Sequence, residues 1–385
     1  MAVQVGRRRA CKVLHLFDAI GNVKGSVERA LRLSDEAFKV AVCSFYNTDA
    51  SLSQIRQTTP KQIVGLGASS RWSPRACWRL FRWIADARPD ILHTHHNWTG
   101  ILGALIGRLT RVPIIINATG TTYTRYSLPV RLIKRMAMSL AHVHVFVSEA
   151  ARDAFGGTRR FREKGRVIHN GVCAEAVMAQ AKNASAIRRE LGLASDRRVV
   201  GTIGRLKEVK DQSTLLRAIF KLAESGKAAQ LALVGTGPME AALRKEAETL
   251  GIGESVLFLG DLPRETVYGF LHAIDLYAMA STAEGLSGAL LEAMAARRPV
   301  VVTDIPSFRE VVEDGVTGVL VPRRDPDAMA RAISRMLSNE DEADRMGQRA
   351  QETVRRDFRL DETVGVYEEL YVTLLKKGCR QHAEG

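Results

Sequence analysis

The stretch AEGLSGALLEAMAARRP, residues 283–299, is the part of this chain that predicts most about its fold and chemistry. It carries two carboxylates, Glu284 and Glu292, and a glycine-rich turn lies between them. The turn consists of Gly285, Leu286, Ser287 and Gly288. We predict a helix that begins near Ser287, because an apolar run follows it. The first turn of such a helix offers unpaired backbone N–H groups and the positive end of the helix dipole, and glycines let an anion come close. The stretch therefore predicts a phosphate site.

The two carboxylates are expected to have different partners. Glu292 lies within an apolar run, where a charge is costly unless a hydrogen bond satisfies it. A ribose diol would satisfy it, and Glu284 would then lie beyond the diphosphate, near the group that the diphosphate carries. The alternative is a buried helix with one capping and one surface glutamate.

A second glycine turn, further upstream, supplies positive charge. Residues 198–203 read as a buried strand, which is followed by Gly204, Arg205 and, five residues later, Lys210. A helix is predicted from Asp211. An arginine fork binds two oxygens and a lysine is a mobile point charge, so together they can neutralise a diphosphate leaving group without a metal ion.

These segments together resemble a known family. GRLKEVKD at 204–211 and EGLSGALLEAMA at 284–295 resemble the donor half of the retaining family 4 glycosyltransferases, which have the GT-B fold (glycosyltransferase group 1). Further resemblances are VSEAAR at 147–152, HNGV at 169–172, the glycine turn VGTGPMEAALR at 234–244 and the base-side loop FLGDLPRE at 258–265. The resemblance implies two Rossmann-like, doubly wound α/β domains that face each other across a cleft, with a nucleotide-diphospho-sugar as donor substrate and no cofactor.

The resemblance also implies roles for individual residues. Glu284, Arg205 and Lys210 are expected to be catalytic. The donor-binding residues are expected to be Gly204, Gly235, Gly285, Leu286, Ser287, Gly288 and Glu292. Gly25 and Ser26 stand where the family usually has a Gly-Gly pair, and Thr119 stands before Gly120 where the family usually has a histidine. Because of this substitution, we expect backbone groups and Glu284 to take the role that the family usually gives to the histidine.

The length and the alternation of strands and helices agree with two domains. A chain of 385 residues, 46% of them hydrophobic, can bury two cores. We predict strands at 12–17, 39–45, 62–66, 90–95, 113–118 and 142–148 in the first half and at 198–203, 230–234, 256–259, 276–280, 300–303 and 318–321 in the second, with a helix at 27–33 after the first loop. The alternation of apolar strands with amphipathic helices is typical of parallel sheets. We expect an acceptor-binding domain at 1–175, a donor-binding domain at 176–360 and a C-terminal helix at 361–385 that crosses back to the first domain.

Acceptor chemistry is expected in the loops that follow the first-half strands, at 18–26, 95–99 and 118–124. The expected acceptor-binding residues in these loops are Gly25, Ser26, His95, His96, Thr119 and Gly120. We expect His95 and His96, at the end of a predicted strand, to hydrogen-bond the sugar or the acceptor. His93 alternates inward and is expected in the core. No metal site is expected at these histidines, since no carboxylate or cysteine cluster accompanies them. Asp325 and Pro326, in DPDAMA, are expected to begin a helix and not to bind metal.

Positive charge is concentrated in the first half of the chain. Residues 1–185 contain 28 Lys and Arg against 11 Asp and Glu, whereas residues 186–385 contain 28 against 31. The surplus indicates an anionic acceptor, an anionic membrane surface or nucleic acid. No nucleic-acid module is recognisable, so we expect no nucleic-acid partner.

A candidate membrane face lies at residues 71–83, RWSPRACWRLFRW. On a helix, Arg71, Arg75, Arg79 and Arg82 would share one sector, bordered by Trp78 and Trp83. We expect this face and the basic stretch 131–135 to contact anionic headgroups. The alternative is an ordinary solvated arginine face.

The remaining sequence features favour a cytoplasmic location, and the basic face predicts peripheral attachment to the inner face of the cell membrane. No apolar run is long enough to span a membrane, the N-terminus lacks a signal-peptide core, and the five cysteines contain no C-x-x-C pair. The function expected is retaining sugar transfer to a lipid-linked or polysaccharide acceptor, in the biosynthesis of cell-surface glycans such as lipopolysaccharide. The alternatives are a sugar-nucleotide epimerase of the same fold and a basic nucleic-acid-binding protein.

Overall fold

The computed structural model describes residues 10–20, 24–49, 52, 61–95, 97–120, 139–155 and 163–381, and the statements below refer to these residues. The chain divides into two compact units. Unit 1 contains residues 1–170 and 360–385, and unit 2 contains residues 171–359. Each unit has one parallel β-sheet with helices, which confirms the predicted doubly wound α/β class.

Unit 1 has a seven-stranded sheet in the order β3-β2-β1-β4-β5-β6-β7. Its strands are β1 (Cys11–Phe17), β2 (Phe38–Ser44), β3 (Gln62–Gly65), β4 (Ile91–His95), β5 (Ile114–Thr119), β6 (Val143–Phe146) and β7 (Gly165–Val167). Its helices are α1 (Lys24–Leu31), α2 (Pro74–Ala87), α3 (Asn97–Leu109), α4 (Glu149–Phe155) and α14 (Leu360–Gln381). The sequence did not predict β7, because three residues at a sheet edge are too few for a periodic pattern.

Helix α1 begins earlier than the sequence predicts. The expected start was Val27, but the first residue of α1 is Lys24, so Gly25 and Ser26 belong to its first turn and not to the preceding loop. The helix carries Arg29, which is only 5% exposed. Its guanidinium donates to Asn170 Oδ1 at 3.1 Å and to Ser26 Oγ at 3.1 Å, and it lies over the ring of Tyr367 at 4.8 Å.

Unit 2 has a six-stranded parallel sheet in the order β10-β9-β8-β11-β12-β13. Its strands are β8 (Arg198–Ile203), β9 (Ala229–Val234), β10 (Val256–Gly260), β11 (Leu276–Met279), β12 (Val300–Thr303) and β13 (Val319–Val321). Its helices are α5 (Ala174–Met178), α6 (Ala184–Glu190), α7 (Gln212–Glu224), α8 (Glu240–Thr249), α9 (Arg264–Ala273), α10 (Gly288–Ala295), α11 (Pro306–Arg309), α12 (Pro326–Ser338) and α13 (Glu340–Asp357).

Both strand orders reverse beside the first strand of the sheet. In unit 2 the chain adds β9 and β10 on one side of β8 and then returns to add β11 on the other side. In unit 1 the same reversal lies between β1 and β4. The loops on the two sides of such a point run in opposite directions, which leaves a crevice at the carboxyl ends of the strands. Ligands are therefore expected between β8 and β11 and between β1 and β4.

Two local predictions in unit 2 are confirmed. Helix α10 begins at Gly288 with Ser287 as its N-cap. Asp325 caps α12 by accepting a hydrogen bond from the Ala328 N–H at 2.8 Å, and Pro326 is the first helical residue. The D-P-D segment is therefore a helix start.

Helix α2 corrects the predicted basic face. Ser73 is the N-cap and Pro74 the first helical residue, so Arg71 lies before the helix and does not belong to its face. Trp83 is partly buried and packs against the core of unit 1. Arg79 is anchored, since it donates to the backbone oxygens of Leu66 at 2.8 Å and Gly65 at 3.3 Å. Arg75, Arg79 and Arg82 are all exposed on α2, and Arg82 lies 3.7 Å from Asp86 on the same helix. The predicted basic stretch 131–135 lies outside the described residues.

None of the described helices is both long enough and apolar enough to cross a bilayer.

We expect Arg79→Ala to destabilise unit 1, because it leaves two carbonyl oxygens at the end of β3 without these donors. The loss should be about 1–3 kcal/mol in urea unfolding. Arg75→Ala is the matched control, an equally exposed arginine on the same helix, and should stay within about 0.5 kcal/mol of wild type, as surface substitutions usually do. Equal effects of the two substitutions would contradict the anchoring role.

Candidate functional site

Three loops of unit 2 are joined at the carboxyl ends of β8, β9 and β10. The Gly204 N–H donates to the Val234 oxygen at 2.9 Å, and the Gly235 N–H donates to the Gly260 oxygen at 2.7 Å. Gly235 has φ 122°, and a Cβ atom placed on it would lie 2.3 Å from the Gly204 oxygen. Only glycine permits this close approach of backbone to backbone. The loop after β8 is therefore held in a fixed place.

The structure brings Lys210 and Glu284 together. The Lys210 ammonium forms an ion pair with Glu284 Oε1, and the Ser281 hydroxyl donates to the same oxygen at 2.7 Å. The two charged side chains are only 21% and 14% exposed. The Thr282 N–H donates to the Val209 oxygen at 2.8 Å, which ties the two loops together by their backbones. Two residues that are 74 positions apart thus form one partly buried pair at the reversal point.

Helix α10 begins at Gly288, four residues after Glu284. Ser287 Oγ accepts a hydrogen bond from the Leu290 N–H at 3.3 Å, as an N-cap does. Gly285 and Leu286 are buried, whereas Gly288 is exposed. Apart from its chain neighbours and the backbone of its own helix, no atom of the protein lies within 4 Å of a Cβ placed on Gly288, so the space beside this first turn is open. The first-turn N–H groups have no partners within the helix and can bind an anion here.

The loop after β8 carries a third cation that the sequence analysis missed. Lys207 lies between Arg205 and Lys210, and both Arg205 and Lys207 are exposed. Partial burial, and then repulsion from Arg205 and Lys210, lower the pKa of Lys207. The three positive charges therefore act on one another. The signal was present in the sequence as three cations within the heptapeptide GRLKEVK.

Glu292 has a protein partner where a ribose diol was expected. Its carboxylate lies 3.6 Å from the Arg264 guanidinium, at the start of α9. Arg264 also donates to the Tyr268 hydroxyl at 2.5 Å. Burial first, and then the negative charges of Glu284 and Glu292, hold the pKa of the buried Tyr277 well above its ordinary value. Glu292 is therefore near the same buried tyrosine as Glu284.

In unit 1 three histidines meet at the other reversal point. His15 of β1 pairs in register with His93 of β4, and His15 Nδ1 lies 2.9 Å from His95 Nε2. All three are buried, with exposures of 2% for His15, 1% for His93 and 3% for His95. His93 is a core residue, as predicted. His95 ends β4 as predicted but is buried against His15, and the sequence analysis did not identify His15 because the strand pairing was not known.

The other predicted acceptor residues are spread over several elements. Ser26 accepts a hydrogen bond from Arg29, and Gly25 precedes it in the first turn of α1. Thr119 is the buried last residue of β5, and Gly120 after it is exposed. His96 lies outside the described residues. Of the predicted acceptor residues that the structure describes, His95 is the one that contacts His15.

Comparison with known proteins identifies the family. The model "Glycosyl transferases group 1" matches residues 183–353, and "Glycosyltransferase Family 4" matches residues 27–176. A phosphatidyl-myo-inositol mannosyltransferase of Mycobacterium leprae is 30% identical over 354 residues, which cover 88% of this chain and 90% of that protein. The glycosyltransferase EpsF of Bacillus subtilis is 30% identical over 233 residues, and the match spans only 58% of this chain and 59% of EpsF.

Solved structures show the same fold. The Anabaena protein HepE in complex with UDP and glucose superimposes with a TM-score of 0.79 at 21% identity, over 94% of this chain and 100% of that chain. The two parallel-sheet units and the sequence matches agree with each other. The chain belongs to the group 1, family 4 glycosyltransferases of GT-B fold.

Proposed function

We propose that the protein transfers a hexose-type sugar, with retention of configuration, from a nucleotide-diphospho-sugar to an anionic, lipid-linked or polysaccharide acceptor in cell-surface glycan biosynthesis. The observation that carries this proposal is the Lys210–Glu284 ion pair. The open first turn of α10 begins four residues after Glu284. This is the region of the crevice where open parallel sheets bind ligands. In this proposal Arg205, Lys210 and Glu284 act on the reacting groups.

The charges of the site match a diphosphate. Lys210 is already paired with Glu284, so its charge is largely balanced within the protein. Arg205 and Lys207 add two positive charges on the same loop. A diphosphate that links a nucleoside to a sugar carries two negative charges, so these two cations and the first turn of α10 would neutralise it. We therefore add Lys207 to the proposed diphosphate ligands.

The proposed transfer takes place on one face of the sugar and uses neither metal nor cofactor. Arg205, Lys207, Lys210 and the N–H groups after Ser287 stabilise the charge that grows on the leaving diphosphate. The leaving phosphate oxygen accepts the proton of the attacking acceptor hydroxyl, so no separate strong base is needed. Thr119, which has no basic side chain, is compatible with this course. Gly204, Gly235, Gly285, Leu286 and Glu292 complete the donor site in this proposal.

The nature of the substrates is supported by the relatives. HepE binds UDP and glucose, and the Mycobacterium leprae relative is named for mannosyl transfer to phosphatidyl-myo-inositol, an anionic lipid. The net charge of +17 on residues 1–185 suits an anionic acceptor. Ser26, His95 and Gly120 remain our candidates for acceptor contacts. The family match favours sugar transfer over the epimerase and nucleic-acid alternatives.

We also propose that the enzyme works in the cytoplasm at an anionic membrane surface. The face that contacts the membrane is formed by α2, the residues just before it and α3, which packs against α2. Large apolar side chains are exposed there: Trp72 (69%), Trp78 (60%), Phe81 (39%), Leu105 (47%) and Leu109 (74%). Arg82 lies over Trp78 at 5.2 Å, and Arg75 is exposed on the same helix. Tryptophans beside arginines suit the headgroup region of a bilayer.

Loss of either cation should slow transfer. We expect Arg205→Ala and Lys210→Ala each to lower kcat/KM by at least about 100-fold, the scale for removing one preorganised charge. Lys221→Ala is the matched control, because Lys221 pairs with Asp327 at 2.8 Å on the surface of unit 2. Near-normal turnover in both folded site variants would remove the diphosphate assignment.

Substitution of Gly288 and of Gly235 by alanine should distinguish a glycine needed for ligand binding from one needed for the fold. Gly288→Ala has room for its methyl group, so we expect unchanged or slightly higher thermal stability but weaker binding of nucleoside diphosphates. Gly235→Ala forces its methyl group against the Gly204 oxygen and should lower stability itself. Calorimetry that finds unchanged nucleotide affinity in Gly288→Ala would mean that the first turn of α10 does not bind the ligand.

Membrane association should require acidic lipids. We expect sedimentation with phosphatidylglycerol vesicles but not with phosphatidylcholine vesicles at low salt, weakened by Arg75→Glu with Arg82→Glu and by Trp78→Ala. Each basic residue near anionic headgroups contributes about 1 kcal/mol, screened over roughly 8 Å at physiological salt. Arg79 is kept in these variants, because it anchors α2. Equal binding to both vesicle types, or to neither, would contradict the membrane proposal.

A further inference from the structure

We propose that His15, His93 and His95 of unit 1 form a binding site for one transition-metal ion of the kind that prefers imidazole, such as Zn²⁺. This site is independent of the sugar-transfer chemistry proposed for unit 2. It lies at the reversal point between β1 and β4, where open parallel sheets place their ligands.

The spacing of the three rings suits a shared ion. One ligand nitrogen from each histidine lies within 4.8 Å of the other two. Zinc binds histidine nitrogens at about 2.0–2.1 Å, so ligands of a tetrahedral ion are about 3.4 Å apart. The His15–His95 nitrogens are 2.9 Å apart, and the ring centroids of His15 lie 5.0 Å from His93 and 5.2 Å from His95. The rings of His93 and His95 are stacked 4.2 Å apart at an interplanar angle of 23°, so at least one of the two rings must rotate before all three nitrogens can face one ion.

Two ring nitrogens in this group have no hydrogen-bond partner. His15 Nε2 and His93 Nε2 are buried and unpaired, although buried polar atoms in proteins are nearly always satisfied. His93 Nδ1 lies 2.6 Å from the Tyr371 hydroxyl, which fixes the ring and leaves Nε2 as the ligand atom. An oxygen partner on the second nitrogen is the usual support of a metal-binding histidine. His15 can bind the ion through Nε2. It can also bind through Nδ1 if the hydrogen bond between His15 Nδ1 and His95 Nε2 is given up.

A positive charge stands near the three histidines. The Arg29 guanidinium lies 4.8 Å over the ring of Tyr367, and that ring lies 5.5 Å from the ring of His93. This charge opposes a bound cation. Arg29 is held by Ser26, Asn170 and the ring of Tyr367, so we expect weaker binding than at a closed zinc-finger site.

A bound ion would connect three elements of unit 1. His15 belongs to β1, His93 and His95 to β4, and Tyr371 to α14. Metal binding should therefore stabilise the attachment of α14 to the sheet.

The test uses the untagged full-length protein, stripped of metal with a chelator and then incubated with Co²⁺ or Zn²⁺. We expect one ion per chain by elemental analysis, a visible Co²⁺ spectrum of four-coordinate type and a higher Tm. Mg²⁺, which prefers oxygen ligands, should have no effect. A folded wild-type protein that retains no Co²⁺ or Zn²⁺ would overturn the proposal, whatever the variants do.

Three variants complete the test. His93→Gln should abolish the Co²⁺ spectrum, and Tyr371→Phe should weaken Co²⁺ binding about 10- to 100-fold by freeing the His93 ring. His272→Gln is the matched control, a half-buried histidine of unit 2 that contacts the Val177 oxygen at 3.0 Å, and it should bind Co²⁺ like wild type. Full Co²⁺ binding by folded His93→Gln would place the metal elsewhere and overturn the site.

Discussion

The ion pair between Lys210 and Glu284 is the interaction on which the proposed donor site depends. Both side chains are mostly buried, so each charge has lost much of its hydration and relies on the other. Removing one partner of a buried pair leaves an uncompensated charge, which costs about 3–5 kcal/mol. The pair therefore holds the loop after β8 against the segment that leads into α10, and it places cations and a helix amino terminus in one region.

The glycine contacts explain why this pair can form. Gly235 lets the backbone after β9 touch Gly204, and a Cβ placed on Gly237 would lie 2.2 Å from the Leu206 oxygen. These contacts fix the path of the loop from Gly204 to Lys210 before any side chain is considered. The order of strands then brings the loop beside β11, whose following segment carries Glu284. Local backbone constraints and sheet topology thus produce a site from distant parts of the sequence.

The fold could be predicted from the sequence in most of its elements. Apolar runs identified twelve of the thirteen strands in the described part of the chain, and capping residues located the starts of α10 and α12. The pairing of Lys210 with Glu284 could not be predicted, because their separation in the chain says nothing about strand order. The same holds for His15, whose partners lie on β4, and for Arg264, whose guanidinium lies 3.6 Å from the Glu292 carboxylate. The prediction that four arginines of residues 71–83 share one helix face was wrong for Arg71, because Pro74 begins the helix and leaves Arg71 outside it.

The central claim is that unit 2 binds a nucleoside diphosphate on the loop after β8 and on the first turn of α10. Hydrogen exchange with and without UDP, GDP and ADP tests it most directly. The account predicts that one of these nucleotides slows exchange of the backbone amides in residues 204–210 and 285–289. Slower exchange confined to other segments, or no change with any of the three at saturating concentrations, would contradict it.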